Sequence, residues 1–266
     1  MTEQELILID LLKCRRVDLY ARDVDLTQNQ EEQLSKIQDR RKSGEPLQYI
    51  LGRTTFLNTE LLVDARVLIP RPETELLVEA LIKKSRSFKR DLRILDIGTG
   101  SGNIAIALAK NIPNAFLTAV DISLDALDLA KVNAQLNGVS DKINFTQSDL
   151  FSGLEQEAIS EKFDIIVSNP PYIKKEDIGR LPADVRREPV IALDGGEDGL
   201  EFYRRIIAHA QGFLNPGGFL ALEMGDGQKF FLEKIFAQHK NFQVTEFIKD
   251  YVNTDRIIIA ELKIYG

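Results

Sequence analysis

The chain has 266 residues, of which 44% are hydrophobic and 28% are charged, and its net charge is −7. This composition is typical of a globular protein with a sizeable core, and the acidic balance argues against a free-standing binder of duplex DNA. The one cysteine, Cys14, excludes an internal disulfide and a cysteine-based metal cluster.

The first forty-five or so residues are predicted to be helical. Apolar residues such as Leu6, Ile9 and Val17 recur at helix-compatible spacings, and a second helix is predicted over Gln28–Lys42. The first five residues, which include Glu3 and Glu5, lack the basic start of a signal peptide. No apolar run approaches the roughly 18 residues of a membrane span. We therefore expect a cytoplasmic protein that does not contact a membrane.

A short β-hairpin is predicted next. Gln48–Leu51 and Glu60–Asp64 have strand character, and a turn is expected near residues 57–59. The prolines of residues 68–75 then force an extended passage, after which Pro72 or Thr74 opens a helix that runs to about residue 87.

Two charged residues, Arg71 and Glu73, alternate with the prolines of this passage. They line the cleft between two domains on one interpretation and form an interdomain ion pair on the other, and the sequence favours neither. The pattern divides the chain into a helical unit at residues 1–46, a hairpin linker at 47–72 and a larger domain at 73–266.

From residue 92 onward, short apolar runs alternate with helical stretches. This alternation predicts an α/β fold whose parallel sheet is covered by helices on both faces. The predicted strands are Leu92–Ile97, Phe116–Asp121, Ile143–Ser148, Phe163–Ser168 and Phe219–Met224, and the predicted helices are Asn103–Asn111, Ser123–Asn137 and Gly199–Phe213. Two final strands, Gln243–Lys249 and Arg256–Leu262, are too closely connected for a parallel crossover and should be antiparallel.

A glycine loop follows the first of these strands and opens a helix. Gly98, Gly100 and Gly102 let the backbone turn tightly and let a ligand approach it. The dinucleotide fingerprint would require glycine at Asn103, and the Gly-Lys-Ser/Thr of a phosphate loop is absent. The Gly-x-Gly-x-Gly spacing instead resembles the first motif of S-adenosylmethionine-dependent methyltransferases.

Two aspartates lie at the ends of the next two strands. Asp121 lies near the offset at which an acid meets ribose hydroxyls, and Asp149 could take an adenine amino group while Leu150 and Phe151 pack on the ring. Both could instead be turn formers, as aspartate often is at strand ends. The candidate cofactor-binding residues share these strand ends and loops: Gly98, Thr99, Gly100, Gly102, Asp121, Ile122, Asp149, Leu150 and Asn169.

The most informative segment is Asn169-Pro170-Pro171-Tyr172, directly after a buried strand. Proline cannot donate to a sheet ladder, so the chain must leave the sheet there and expose carbonyl groups. The side-chain oxygen of Asn169 and the carbonyl of Pro170 can hold the two hydrogens of a planar NH2 group, and Tyr172 can pack on its flat face. These three are the candidate catalytic residues, and with Pro171, Arg71 and Glu73 they form the candidate substrate site.

The whole set of motifs resembles the HemK/PrmC family of protein glutamine-N5 methyltransferases, which modify class-1 peptide chain release factors. Matching stretches are residues 46–52, 68–75, 98–102, 169–172, 193–200 and 223–228. The resemblance implies a helical N-terminal substrate-recognition domain, a linking hairpin and a Rossmann-like, seven-stranded methyltransferase domain. It also implies methyl transfer from S-adenosyl-L-methionine to the glutamine of a Gly-Gly-Gln loop, with S-adenosyl-L-homocysteine as product, and gives Asn169, Pro170 and Tyr172 the roles just described.

Three other functions remain open at this point. Asn-Pro-Pro-Tyr also occurs in adenine-N6 DNA methyltransferases, which need a recognition domain and a basic channel to extract a base, and neither is evident here. The others are a glutamine methyltransferase of a ribosomal protein and a non-catalytic S-adenosylmethionine-binding protein. Direct nucleic-acid binding is not expected, and the two histidines, His209 and His239, lie far from any pattern that predicts a metal site.

Overall fold

The computed structural model describes residues 2–21, 25–156 and 162–264. The N-terminal part is helical, as predicted, with α1 (Glu3–Leu12), α2 (Asp18–Ala21) and α3 (Gln28–Lys42). Residues 1 and 22–24 of the predicted helical region lie outside the described residues. Threonines begin the two longer helices: Thr2 and Thr27 each form a capping box with the residue three positions on.

The prediction of a strand over Gln48–Leu51 is wrong. Residues Leu47–Leu51 form a short helix, α4, with Pro46 before it and Gly52 after it at φ +72°. The hairpin follows this helix in the chain and consists of β1 (Arg53–Phe56) and β2 (Thr59–Leu62), which pair antiparallel. A proline before the segment and a glycine after it favour a single helical turn, and this preference outweighs the strand character of the residues between them.

The larger domain is a seven-stranded sheet with helices on both faces. Its strands are β3 (Leu92–Ile97), β4 (Ala115–Asp121), β5 (Ile143–Gln147), β6 (Phe163–Ser168), β7 (Leu214–Glu223), β8 (Phe242–Lys249) and β9 (Asp255–Leu262). Their order is β5-β4-β3-β6-β7-β9-β8. The first five run parallel, and β9 pairs antiparallel with both β7 and β8, which confirms the predicted fold class and the antiparallel C-terminal hairpin.

The helices of this domain are α5 (Pro72–Ser85), α6 (Asn103–Asn111), α7 (Leu124–Leu136), α8 (Ser152–Gln156), α9 (Glu201–Phe213) and α10 (Lys229–Gln238). Strand residues alternate between two cores. Ile94 of β3 packs with α5 and α6, whereas Leu95 and Ile97 pack with α9 and α10. Both faces of the sheet are thus buried, which explains why its strands read as continuous apolar runs.

The linker is fastened to the larger domain by one buried amide. Asn133 of α7 is 0% exposed. Its Oδ1 accepts from the N–H of Leu62 at 2.8 Å, and its Nδ2 donates to the carbonyls of Leu62 and Ser101 at 3.0 and 2.9 Å. The hairpin and the glycine loop are therefore held to the same helix. Among the described residues, no helix is long and apolar enough to cross a bilayer.

Candidate active site

The carboxyl ends of the parallel strands meet along one edge of the sheet and border a cleft. Four successive strands, β3 to β6, contribute Gly98, Asp121, Asp149 and Asn169 to its lining. The cleft encloses about 970 Å³, its open mouth included. Ligands of open α/β sheets bind at this edge, so the predicted set of residues lies where the topology directs a ligand.

In the glycine loop, backbone rather than side chain faces the cleft. Gly98 and Gly100 line the cleft with φ of +72° and +54°, and a Cβ on either would meet no atom within 4 Å. Gly102 differs, because its Cβ would lie 2.9 Å from Ile106 Cδ1 and 3.2 Å from Ala130 Cβ. The first two glycines leave space for a ligand, and the third permits close packing of α6 on α7.

Two aspartates support this loop. Asp96 accepts from the hydroxyl of Thr99 at 2.7 Å and from a backbone N–H of α6, and burial raises its pKa to about 7. The predicted cofactor residue Thr99 is thus buried beneath the loop. Asp121 accepts from the N–H groups of Gly100 and Ser123, both at 2.9 Å, and its carboxylate retains acceptor capacity for a ligand hydroxyl.

Another part of the cleft wall is apolar. Ile122, Leu150 and Phe202 line it, and Ile122 is 47% exposed, which leaves apolar surface for a flat ring to cover. Asp149 lies beside them, and its carboxylate accepts a hydrogen bond from Arg205 at 2.7 Å. Arg205 therefore binds the same carboxylate that the sequence analysis assigns to the adenine amino group.

A second cavity adjoins the first at the Asn-Pro-Pro-Tyr corner. Its lining includes Arg71 and Tyr172. Four residues line both cavities: Leu68, Asn169, Pro170 and Ala192. Asn169 and Pro170 thus form part of the wall between two neighbouring spaces.

The side chain of Asn169 is held by a chain of hydrogen bonds. Its Nδ2 donates to Thr74 Oγ1 at 3.1 Å, and the Thr74 hydroxyl donates to Glu223 Oε2 at 2.6 Å. Thr74 and Glu223 are each 1% exposed. Burial, the largest effect, raises the pKa of Glu223 to about 7.

Tyr172 is fixed by close contacts with glycines from two loops. A Cβ on Gly195 would lie 2.7 Å from Tyr172 Cα, and one on Gly199 would lie 2.5 Å from the Tyr172 carbonyl oxygen. A Cβ on Gly225 would approach the Tyr172 ring to 3.0 Å. Burial raises the pKa of Tyr172 to about 12, so its phenol stays neutral at physiological pH.

One amide links the loops around Tyr172. Gln228 Nε2 donates to the carbonyls of Tyr172 and Gly199, both at 3.1 Å. Its Oε1 accepts from the N–H of Gly225 at 2.9 Å and from the hydroxyl of Tyr203 at 3.1 Å. The glycine-rich stretches 195–199 and 225–227 therefore support the corner that carries Asn169.

Arg71 lines the second cavity but does not pair with Glu73. Its guanidinium donates to Glu188 at 2.5 Å, and that carboxylate also accepts from the N–H of Ile69 at 3.0 Å. Glu73 lies in the first turn of α5, and its charge helps to raise the pKa of Glu223. Both residues are therefore near the Asn169 corner, and both act electrostatically on Glu223.

Sequence reasoning did not assign three of the residues that hold this site. Thr74 is predicted only as a possible helix start, Glu223 lies within the predicted strand Phe219–Met224, and Gln228 belongs to a matching stretch. A polar residue at the end of a buried strand, as at Glu223, is the one local signal that points to the edge where ligands bind. Among the described residues, no group of three or more His, Cys, Asp or Glu side chains is arranged to hold a metal ion.

Two family profiles match the chain. The PrmC N-terminal domain matches residues 2–52, and the methyltransferase small domain matches residues 72–181. A release factor glutamine methyltransferase of Thermodesulfovibrio yellowstonii is 38% identical over 97% of this chain and 91% of that protein. Proteins of the same description from Agrobacterium fabrum and Streptococcus pneumoniae are each 41% identical, over 88% and 91% of this chain and 80% and 85% of theirs.

Solved structures share the fold. A ribosomal protein L11 methylase of Lactobacillus delbrueckii subsp. bulgaricus aligns with a TM-score of 0.53 and 24% identity over 76% of this chain and 84% of its own. A methyltransferase of Pyrococcus furiosus aligns with a TM-score of 0.56 and 20% identity over 90% of this chain and 100% of its own. At these identities the likeness concerns the fold alone.

Proposed function

Because this chain belongs to the release factor glutamine methyltransferases, we propose that it methylates the side-chain amide nitrogen (N5) of a glutamine in a class-1 peptide chain release factor. The glutamine is that of the Gly-Gly-Gln loop, and the methyl donor is S-adenosyl-L-methionine. Since the substrate belongs to the translation machinery, we assign the reaction to the cytoplasm.

One observation carries the proposal: Asn169 and Pro170 line two adjoining cavities at once. A methyl transferase must bring two substrates within about 3–3.5 Å of each other while holding each in its own site. The first cavity has the glycine loop and acid of a nucleoside site, and the second has the flat phenol of Tyr172. The shared wall is therefore the position for the transfer.

The first cavity fits S-adenosylmethionine. Gly98 and Gly100 leave open space over the backbone, Asp121 offers acceptors for ribose hydroxyls, and Ile122 and Leu150 offer an apolar surface for the adenine ring. When bound there, the donor supplies a methyl group that the amide nitrogen takes as the carbon–sulfur bond breaks, which leaves S-adenosylhomocysteine. This assignment uses residues from three successive strand ends.

The corner residues orient the glutamine nitrogen. An amide nitrogen is a poor nucleophile because its lone pair is delocalised into the carbonyl. The Oδ1 of Asn169 and the carbonyl of Pro170 accept its two hydrogens, which aims the nitrogen and stabilises the positive charge that develops on it. The nitrogen becomes acidic only as its new bond forms, so the proton leaves afterwards and no strong base is required. The neutral phenol of Tyr172 is suited to packing on the amide rather than to removing a proton.

We assign partner recognition to residues 1–46. Arg41 of α3 donates to Asp184 at 3.3 Å, and Arg187 donates to the carbonyl of Ser43 at 3.0 Å. These bonds hold the helical unit against the segment that contributes Val185 to the second cavity. A protein bound to the helical unit would therefore lie beside the cavity that receives its glutamine.

The test is mass spectrometry of a purified class-1 release factor incubated with this protein and S-adenosylmethionine. We expect a gain of one methyl group on the glutamine of its Gly-Gly-Gln loop. Asn169→Ala should lower the rate at least about 100-fold, because it removes an acceptor from the reacting group. A normal rate in that variant would remove this mechanism.

Two controls separate this function from others. Binding of S-adenosylmethionine by Asn169→Ala, measured by calorimetry, should stay within a few-fold of the wild-type protein, since Asp121 and the glycine loop are intact. Methylation of duplex DNA, or of a release factor whose target glutamine is replaced by alanine, should be undetectable. Methyl transfer to adenine in the DNA arm would contradict the proposal.

A further inference from the structure

We propose that Thr74 and Glu223 are positioning residues that fix the rotation of the Asn169 carboxamide so that its oxygen, and not its nitrogen, faces the substrate. The inference rests on the proposed function and assigns roles to two residues outside the Asn-Pro-Pro-Tyr motif. Its basis is a buried chain of hydrogen bonds from Glu223 through Thr74 to Asn169.

The three side chains come from separate elements that the fold brings together. Glu223 ends β7, Thr74 lies in the first turn of α5, and Asn169 directly follows β6. The Thr74 hydroxyl lies 2.6 Å from Glu223 Oε2 and 3.1 Å from Asn169 Nδ2. Because Thr74 and Glu223 are each 1% exposed, water does not compete for the bond between them, and the bond from Asn169 is partly buried.

The direction of the bonds follows from the number of hydrogens. A threonine hydroxyl has one hydrogen, and an ionised carboxylate can only accept. Thr74 donates that hydrogen to Glu223 and must therefore accept from Asn169. Only the NH2 end of the Asn169 amide can donate, so the amide nitrogen turns toward Thr74 and the oxygen turns away from it.

The rotation matters because the two ends of the amide have opposite hydrogen-bonding roles. The glutamine nitrogen presents two hydrogens and needs acceptors. If the Asn169 amide were rotated by 180°, its NH2 would face the NH2 of the substrate, and donor would meet donor. The glutamine nitrogen would then lose one of its two acceptors, and the aim of its lone pair would be lost with it.

The charge state of Glu223 controls the chain of hydrogen bonds from Glu223 through Thr74 to Asn169, which we call the relay. The groups that act on this carboxylate electrostatically are Glu73, Arg71 and Arg256. Tyr172 and Tyr203 are close enough for their own pKa values to respond to Glu223, and both phenols stay neutral at physiological pH. Burial is the dominant effect and raises the pKa of Glu223 to about 7. When protonated, Glu223 can donate to Thr74, which frees the Thr74 hydrogen for the oxygen of Asn169 and favours the wrong rotation.

A matched pair of variants tests the relay. Thr74→Val keeps the shape but removes the hydroxyl, and Thr74→Ser keeps the hydroxyl. On a release factor substrate we expect kcat to fall roughly 10- to 100-fold in Thr74→Val and to stay within about threefold of wild type in Thr74→Ser. Affinity for S-adenosylmethionine should be unchanged in both. A wild-type kcat in Thr74→Val would overturn the relay.

The pH dependence provides a second readout. In the wild-type protein kcat should fall as the pH drops through about 7, whereas in Glu223→Gln it should be low and flat over that range. A merely structural role for Glu223 would leave the shape of the profile unchanged. Superimposable profiles would overturn the role of the carboxylate.

A third measurement does not depend on the substrate. In ¹⁵N-labelled protein, the side-chain NH2 signal of Asn169, identified by its loss in Asn169→Asp, should shift as the pH passes through about 7 and should not shift in Glu223→Gln. A constant signal in the wild type would refute the relay even if methylation is confirmed. Conversely, absence of release factor methylation by the wild type, with the shift observed, would refute the proposed function and leave the hydrogen-bond relay established.

Discussion

At the scale of single residues, Asp121 supports the glycine loop and lines the cleft to which we assign the nucleoside. Its oxygens accept from the N–H groups of Gly100 and Ser123. The residue therefore shapes the glycine loop even before a ligand binds. The turn-forming role is thus compatible with the proposed contact to ribose, the other interpretation that the sequence leaves open.

Replacing Asp121 by Ala should weaken the binding of S-adenosylmethionine by roughly 2 kcal/mol or more, because a charged acceptor for two hydroxyls is lost. Calorimetry of the purified variant measures this directly. Asp121→Asn is the matched control, since it keeps the shape and one acceptor and should lose less. An unchanged dissociation constant in Asp121→Ala would exclude the ribose role.

At the scale of elements, the support of the Asn-Pro-Pro-Tyr corner comes from loops that lie far from it in the chain. The loop at residues 193–199 runs beside Tyr172, where Gly195 donates its N–H to the Ile173 carbonyl at 2.7 Å. This approach is possible only without a side chain at Gly195, whose Cβ would lie 2.7 Å from Tyr172 Cα.

Gly195→Ala should therefore lower both the stability of the fold and the methylation rate, the stability by about 1–3 kcal/mol from overpacking. Gly212→Ala in α9 is the control. No atom lies within 4 Å of the added Cβ there, and alanine is the better helix former, so stability should stay equal or rise. Thermal unfolding and initial rates of both variants measure the effect. Equal behaviour of the two variants would contradict the close contact.

The sequence predicted most of the sheet, and it predicted that Gly98, Asp121, Asp149 and Asn169 meet at one of its edges, for the same reason. Apolar runs such as Phe163–Ser168 are buried on both faces, and in parallel sheets the residues after such runs meet at one edge. The hydrogen-bond partners at that edge were not predictable. Thr74 and Glu223 are separated by 149 positions, and no local pattern indicates which two polar residues a fold will place 2.6 Å apart.

The one wrong element shows the limit of local patterns. Residues Gln48–Leu51 include β-favouring Tyr49 and Ile50, and in so short a segment strand and helix patterns are not distinguishable. Pro46 and Gly52 bound the single helical turn, and a tertiary contact holds it, since the Tyr49 hydroxyl donates to the Val67 carbonyl. Tertiary contacts of this kind are absent from the sequence pattern.

At the scale of the whole molecule, two buried carboxyl groups oppose stability at neutral pH. Burial raises the pKa of both Asp96 and Glu223 to about 7, from ordinary values near 4. Between about pH 4 and pH 7 the folded state therefore binds more protons than the unfolded state, so the free energy of unfolding falls as the pH rises. Their contribution is most favourable below about pH 4 and is lost by about pH 7.

Glu223→Gln should accordingly raise the free energy of unfolding relative to wild type at pH 8, by up to about 3 kcal/mol, and the difference should shrink toward pH 5. Urea unfolding of ligand-free protein at both pH values measures this. Other carboxylates titrate as well, so the difference between the two proteins, and not either curve alone, is the quantity to compare. A difference that grows toward pH 5 would show that the sign is wrong.

The wall that Asn169 and Pro170 form between two spaces makes this protein suited to bisubstrate inhibitors. A nucleoside joined through its sulfur position to a glutamine mimic would occupy both chambers, and the second contact would form at the high effective concentration that a short tether gives. Other methyltransferases with a similar nucleoside site would bind only half of such a compound. Selectivity would then come from the tether, which must pass the wall that carries the Asn169 amide.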